Sequence, residues 1–469
     1  MNQPSEDAEC TGPSSRNEPQ GYMLKDEAYL MDQQPFLNAI RENPDDLGRY
    51  AIFADWLEKN GDPRGAFMNA QIRRLDKSAT AAETEKLQEL EESLLVDHCR
   101  SWLDELAVSL VDQNEEFDGV HTPSGYRFVG LRYIVWWGRG FLDTLEVYFL
   151  TPHFAEILKH SSHVGMLRQL IVKGVPERED LEEFDDVMEH NSGLKWNGDV
   201  NPAFSILQGA VFENLRHFAV EDVTDDDSPL RRIMYPHDMY SAEYANVPDD
   251  IDPETGVATP MPPDGCPASN IRAESLAGVI EHMPRLESLI IFASTLDHAD
   301  LFRLEMPHLK YLTAKTEVES RLAEFPIRIL ANNSSLTHLD SVSLFASDED
   351  RWDDESSWQD EISSIHLEDL KAICRSRYLR ALANLSLYNS AFGDDGIVEL
   401  IESGTLRRLK SLNLTYGEIT DDGAELLATT DLSSLESLIL DENRITENGI
   451  RAIQKTGVTL SAKWQRIDE

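Results

Sequence analysis

Apolar positions near the C-terminus recur in a fixed frame. The segments LANLSLYNSAFGDDGIVELI (from Leu382), LKSLNLTYGEITDDGAELLA (from Leu409) and LESLILDENRITENGIRAIQ (from Leu435) align without gaps, at periods of 27 and 26 residues. Each opens on L-x-x-L-x-L. Side chains alternate across a strand, so the leucines of L-x-L share one face and the intervening residues the other. Phe392, Ile419 and Ile445 follow in register, as do Gly396, Gly423 and Gly449. A helical stretch closes each unit. Asp394 and Asp395, Thr420 with Asp421 and Asp422, and Thr446 stand where N-capping side chains belong, each worth about 1 kcal/mol, and acids there suit the positive end of the helix dipole. The helices are expected to turn Leu426 and Leu427, or Ile450 and Ile453, back toward the strand. A lone unit leaves its leucines wet. Stacked units cover one another, so the motif must recur.

Looser copies run upstream: LDTLEV (142–147), LRQLIV (167–172), LRHFAV (215–220), LESLII (286–291), LKYLTA (309–314) and LTHLDSV (336–342), each read as a strand. Gaps longer than one period require insertions, placed near 177–190, 222–270 and 346–361. These are acidic, the second also proline-rich, and read as solvated loops or linkers. The N-terminal third follows another pattern. Phe36, Leu37, Ile40, Tyr50, Phe53, Ala54 and Leu57 fall at helical spacing, with NPDD and NGDPRG as turns between helices. A longer helical pattern at 83–110 sets Leu87, Leu90, Leu94, Leu95, Trp102 and Leu106 on one broad face. VGLRYIVWWGRGFLDTLEVYFL (129–150) then reads as strand, turn at Gly138–Gly140, and strand. The expected organisation is a disordered acidic tail over 1–24, a helical module over 25–76, a helical linker into the array over 77–140, and repeats over 141–469.

Apolar residues make up 41% of the chain, enough for a sizeable core. The charge is lopsided, with 42 basic against 86 acidic side chains and a net −44. Such a surface repels nucleic-acid phosphates and anionic lipid, and favours basic partners and cations. Cys10, Cys99, Cys266 and Cys374 lie far apart without C-x-x-C spacing, so neither a zinc site nor a disulfide framework is suggested. No apolar run approaches the ~20 residues of a membrane span. The N-terminal MNQPSEDAECTGPSSRNEPQG lacks the basic and apolar regions of a secretory signal. A cytoplasmic protein with no membrane or nucleic-acid partner is expected.

The stretch from Phe36 to Gln71 resembles the repeat-companion domain found beside leucine-rich repeats in bacterial proteins. Asn43-Pro44-Asp45-Asp46, Arg49, Ala54-Asp55-Trp56-Leu57-Glu58, Gly61-Asp62-Pro63-Arg64-Gly65 and Gln71 carry the match, while Ala66 stands where family members usually carry an acid. GRGFLDTL resembles the segment that introduces the repeats in such proteins. The frame L-x-x-L-x-L followed by N-x-I is the leucine-rich-repeat signature, and the units are similar to the ribonuclease-inhibitor-like and cysteine-containing subclasses. Ser390, Gly417 and Asn443 occupy the Asn/Cys position of those units, so only the last can build an asparagine ladder. The implied fold is an α/β leucine-rich-repeat solenoid, a curved parallel sheet with outer helices, preceded by a small helical module. The resemblance brings no catalytic residues.

Motifs of catalysis are missing. The chain has no G-x-x-x-x-G-K-[ST], no G-x-S-x-G, and none of the C-x-D of bacterial leucine-rich-repeat ubiquitin ligases. The G-x-G of WWGRGFLD lacks a third glycine and reads as a tight turn. His98 and Cys99 are adjacent, which in a helix turns them ~100° apart, so Cys99 reads as a buried hydrophobe. His160 and His163, with His153 nearby, have helical ligand spacing but no H-E-x-x-H frame. Asp225-Asp226-Asp227 and Asp249-Asp250-x-Asp252-x-Glu254 read as solvated acid, with Thr255 where a calcium loop needs glycine. No cofactor, metal or enzymatic activity is expected. Trp56 is expected to pack the helical core and Asp55 to pair with an arginine, since so small a module needs large apolar side chains.

The inner x positions of each frame project from the face opposite the leucines. They are Asn384, Ser386 and Tyr388; Ser411, Asn413 and Thr415; Ser437, Ile439 and Asp441; and upstream Ser288, Ile290 and Phe292 with Tyr311, Thr313 and Lys315. Small polar residues interleaved with aromatic and aliphatic ones suit protein recognition. Phe292, Tyr311, Lys315, Asn384, Ser386, Tyr388, Asn413, Thr415, Ile439 and Asp441 are therefore the candidate partner-binding residues. The expected function is a non-catalytic scaffold holding a protein partner on the concave face, with the charge favouring a basic one. An inhibitor or regulator of a basic enzyme, an enzyme using the 83–140 region, and a purely structural module are the alternatives.

Overall fold

The computed structural model describes residues 33–75, 78–112, 118–122, 125–129, 133–147, 150–173, 201–221, 273–293, 298–317, 326–347 and 365–466. The tail at 1–24, the insertions at 177–190 and 222–270, and 348–361 of the third insertion lie outside the described residues.

Four helices lead: α1 (33–42), α2 (Leu47–Lys59), α3 (Pro63–Arg74) and α4 (Ala81–Leu103). Asp46, Asp62 and Thr80 are the N-caps of α2, α3 and α4, each side chain accepting a backbone N–H of the first turn. One sheet of 13 strands follows, its spatial order identical to its sequence order. β1 (Asp118–Thr122), β2 (Gly125–Val129), β3 (Tyr133–Gly138) and β4 (Phe141–Val147) pair antiparallel. From β4 onward every pairing is parallel, through β5 (Gln169–Lys173), β6 (His217–Glu221), β7 (Ser288–Phe292), β8 (Tyr311–Glu317) and β9 (Ser341–Ser347). It continues through β10 (Asn384–Tyr388), β11 (Ser411–Asn413), β12 (Ser437–Ile439) and β13 (Thr459–Ser461).

Helices fill the parallel crossovers: α5 (Pro152–His160), α6 (Asn201–Leu207), α7 (Leu276–Ile280), α8 (His298–Arg303), α9 (Ile327–Asn332), α10 (Leu367–Arg375), α11 (Gly393–Glu402), α12 (Asp421–Thr429) and α13 (Glu447–Gln454). The chain is thus an α/β solenoid-like repeat fold, a mostly parallel open sheet with helices on one side, behind a helical module. No described helix is long and apolar enough to cross a membrane. The frame leucines Leu385, Leu387, Leu412, Leu414, Leu438 and Leu440 are buried in one continuous core with Ile397, Leu400, Leu427 and Ile453 of the helices. Each such side chain contributes roughly 1.5–3 kcal/mol by leaving water.

Three polar devices stitch neighbouring units together. Asp394 lies in the first turn of α11 but serves the next helix, accepting from Thr420 N (2.9 Å), Thr420 Oγ1 (2.6 Å) and Gly423 N (3.0 Å). Asp421 repeats this one unit later with Thr446 N (2.8 Å) and Thr446 Oγ1 (2.6 Å). The recurrent glycine makes room, since a Cβ on Gly423 would overlap Asp394 Oδ1 and one on Gly449 would meet Asp421 Oδ1. The third device is the asparagine ladder. Asn443 Oδ1 accepts from Gly417 N (3.0 Å) and Ile419 N (2.9 Å), and its Nδ2 donates to Leu414 O and Asp441 O. Gln465 extends the ladder, accepting from Ile445 N and donating to Leu440 O.

Several expectations need correction. The strand placed at 336–342 runs instead over Ser341–Ser347, because its frame is Leu339, Val342 and Leu344, in register with Leu385 and Leu387. The third insertion accordingly begins after Ser347. Thr420 and Thr446 do cap their helices, but Asp394 and Asp421 bridge to the following unit. Leu426 points outward at 38% exposure, because Gly423, Ala424 and Leu427 form the inner face of α12. Leu90 is likewise exposed on α4. The hairpin of β1 and β2, within a stretch expected to be a helical linker, carries no frame leucines to announce it.

Candidate binding face

The companion-like residues act within the module and along its seam with the array. Trp56 packs against both Phe36 and Phe53, at 5.3 and 6.2 Å between ring centroids, and those two rings stack on each other at 5.5 Å. Asp55 is exposed and pairs with no described arginine, contrary to expectation, because its position on α2 faces away from the core. Gln71 crosses to the GRG turn, where Oε1 accepts from Gly140 N (2.8 Å) and Nε2 donates to Trp137 O (3.1 Å). Asp45 of the NPDD turn accepts from Arg168 (3.2 Å) and from Arg216, the residues just ahead of β5 and β6. Arg216 also reaches Glu287 (3.0 Å), and Glu287 reaches Lys310 (2.6 Å). Burial opposes ionisation of the Asp45 carboxyl, but the Arg216 hydrogen bond and the Arg216, Arg168 and Arg139 charges outweigh it and hold its pKa below the usual range.

The sheet face away from the helices carries the candidate residues in three rows. The first includes Tyr311 and Asn384, the second Ser386, Asn413 and Ile439, and the third Phe292, Lys315 and Tyr388. Thr415 and Asp441 continue the third row past the ends of β11 and β12. Ile171, Ala219 and Ile290 form a small apolar cluster on this face, with Phe292 packed against it. From there rings run across the array: Phe292 to Phe345 at 6.2 Å, Phe345 to Tyr388 at 5.7 Å, and Tyr388 to Tyr416 at 5.2 Å. The Arg466 guanidinium lies 5.0 Å from the Tyr416 ring centroid.

Not every candidate is alike. Tyr311 is 40% exposed, whereas Thr415 is buried and donates its Oγ1–H to Asn413 Oδ1 (2.7 Å). The Asp441 carboxylate receives Ser461 Oγ (2.8 Å) and Lys463 N (2.7 Å), which ties it to β13 and the residues after it. Asn384 donates to Asp340 (2.9 Å). Phe345 and Tyr416, members of the ring series, were missed in the sequence. The frame Leu339-x-x-Val342-x-Leu344 places Phe345 where Tyr388 stands one unit later. Tyr416 sits just beyond its strand with φ of 56°, where alternation no longer applies.

The titratable groups considered for chemistry are dispersed. Cys99 is buried and burial raises its thiol pKa, while the half-buried His98 stacks on Trp102 at 5.6 Å. His160 pairs with Glu156 (3.0 Å), but His163 is buried with Nε2 2.8 Å from Trp102 O. Burial lowers the His163 pKa to about 4, so the ring is neutral and donates. Among the described residues no three His, Cys, Asp or Glu side chains gather as a metal site requires.

No family model matches the chain, and no curated protein matches it. Among solved structures, the crystal structure of a Bacteroides fragilis protein from a structural genomics consortium is similar over 70% of this chain and 73% of that chain. Its identity is 15% and its TM-score 0.36, and a likeness of that size assigns nothing.

Proposed function

We propose that the chain is a non-catalytic interaction scaffold, a bacterial cytoplasmic leucine-rich-repeat protein with a companion module, that holds a protein partner on the open face of its sheet. The observation that carries this reading is the run of Phe292, Phe345, Tyr388 and Tyr416, each partly accessible to solvent. Aromatic anchors supply much of the energy at protein interfaces, and small polar neighbours such as Ser343, Ser386 and Asn413 suit the rim around them. The partner is basic. In sequence, 174–200, 222–272 and 348–364 each join the end of a strand to the next described helix, and together they carry half of the net charge of −44. The third row of the face stands at that same strand end, so a basic partner is steered toward the rings, most strongly at low salt.

The test is capture from native extract at low and moderate salt, comparing the full chain with a Phe345→Ala/Tyr388→Ala variant of verified fold. A basic protein retained by wild type and lost by the variant supports the reading. A partner retained by the variant but lost with salt moves the site to the acidic segments, and no enrichment leaves the structural alternative in front.

A further inference from the structure

One guanidinium already stands on the ring series. Arg466, after β13, lies 5.0 Å from the Tyr416 ring centroid. Its Nη2 donates to Glu418 Oε1 (2.7 Å) and its Nε to Glu442 O (2.8 Å). A ring face, a carboxylate and a backbone carbonyl suit a guanidinium, which is planar, weakly hydrated and always charged. Tyr416, Glu418 and Glu442 have φ of 56°, 58° and 55°, a left-handed backbone that bulky side chains rarely adopt. The strand-exit turns of two successive units thus hold an uncommon conformation and meet around one arginine.

Tyr416 ends a series that continues inward. Tyr388 meets it edge to face at 5.2 Å, and Phe345 meets Tyr388 at 5.7 Å. Phe345 and Tyr388 are paired in register on β9 and β10, and both are half-buried. Along the same row follow Thr415 and the acid Asp441, with Glu442 beside it. A cation drawn to this edge by the net charge of −44 therefore arrives at aromatic rings. Arginine gains more there than lysine, whose compact ammonium keeps its water and cannot lie flat on a ring.

We infer that the ring series reads arginine: the partner is a protein segment whose guanidinium groups stack on Phe345 and Tyr388 as Arg466 does on Tyr416. This rests on the reading of the open face as the site of a basic protein, and narrows that partner from basic to arginine-bearing.

Isothermal titration of the full chain with acetyl-tetraarginine amide and acetyl-tetralysine amide, at one ionic strength, tests this. The two peptides carry equal charge, so attraction to the acidic segments acts on both and their ratio reports stacking. The arginine peptide should bind roughly fivefold tighter or more. Phe345→Leu/Tyr388→Leu keeps the apolar bulk but removes the rings, and should bring the two peptides to within about twofold of each other. Tyr388→Phe keeps the ring and should keep the preference, and it reports even if the leucine variant misfolds. Equal binding of the two peptides by wild type, a preference that survives the double leucine change, or one lost in Tyr388→Phe overturns the inference. Failure of the wider reading looks different. A captured partner indifferent to Phe345→Ala/Tyr388→Ala removes the face as its site whatever the peptides do. A partner lost by that variant, with no preference between the peptides, keeps the face and removes the arginines.

Discussion

Gln71 and Gly140 are 69 residues apart, yet Gly140 N donates to Gln71 Oε1 at 2.8 Å. That bond joins the last companion-like residue of the helical module to the turn that opens the parallel array. It makes the module an N-terminal cover for the repeats, which a solenoid needs wherever its core would otherwise face water.

Gly140 has φ of 82°, and a Cβ there would overlap Met68 of α3. Gly140→Ala should cost about 2–4 kcal/mol in urea unfolding, from left-handed strain together with the clash. Met68 is fully buried, so Met68→Ala is itself costly, but the double variant should lose less than the sum of the two single losses. A double variant no better than additive would mean that the contact is not the cause.

Asn443 is fully buried and makes four hydrogen bonds to backbone. Asn443→Ala leaves Gly417 N and Ile419 N unsatisfied, at a cost of about 3 kcal/mol or more. Hydrogen exchange at those two amides should accelerate. Ser390→Ala, at the equivalent position two units earlier, should change stability by less than about 0.5 kcal/mol, because no hydrogen bond is lost with its hydroxyl.

Asp394→Ala removes a cap that one unit supplies to the next and should cost about 1–2 kcal/mol. The adjacent Asp395 is exposed, and Asp395→Ala should be close to neutral. Equal losses from both would show that the first-turn charge matters rather than the bridge between units.

Burial lowers the His163 pKa from 6.5 to about 4. The unfolded chain therefore takes up this proton at higher pH than the folded one. The stabilisation from keeping the ring neutral is complete above about pH 6.5, falls as the pH drops, and is gone below about pH 4. It amounts to something on the order of 3 kcal/mol. In urea titrations across that window, His163→Gln should flatten the pH dependence, and an unchanged slope would exclude His163 as its source.

Local repetition made part of this architecture legible. Leu409-x-x-Leu412-x-Leu414 and its neighbours mark β10 to β12 because leucine spacing alone decides which face is buried. The ladder at Asn443 was readable for the same reason. Leu336 and Leu339 misled because they imitate the start of a frame three residues too early, and that slip concealed Phe345. Asp394 looks like a cap for its own helix, and only the stacking of units reveals that it serves the next. Gln465 and Tyr416 were invisible, since neither sits in an alternating strand and their partners lie a full unit away. The face itself was legible and its aromatic continuity was not.

The central claim is that the rings of the open face hold a basic protein. Its most direct test is the dissociation constant of the captured partner, measured with wild type, Tyr388→Ala, and Leu426→Ala on the outer side of α12. Tyr388→Ala should weaken binding by about 2 kcal/mol, roughly thirtyfold, with Leu426→Ala unchanged. An unaltered dissociation constant for Tyr388→Ala, in a variant that unfolds as wild type does, would contradict the account.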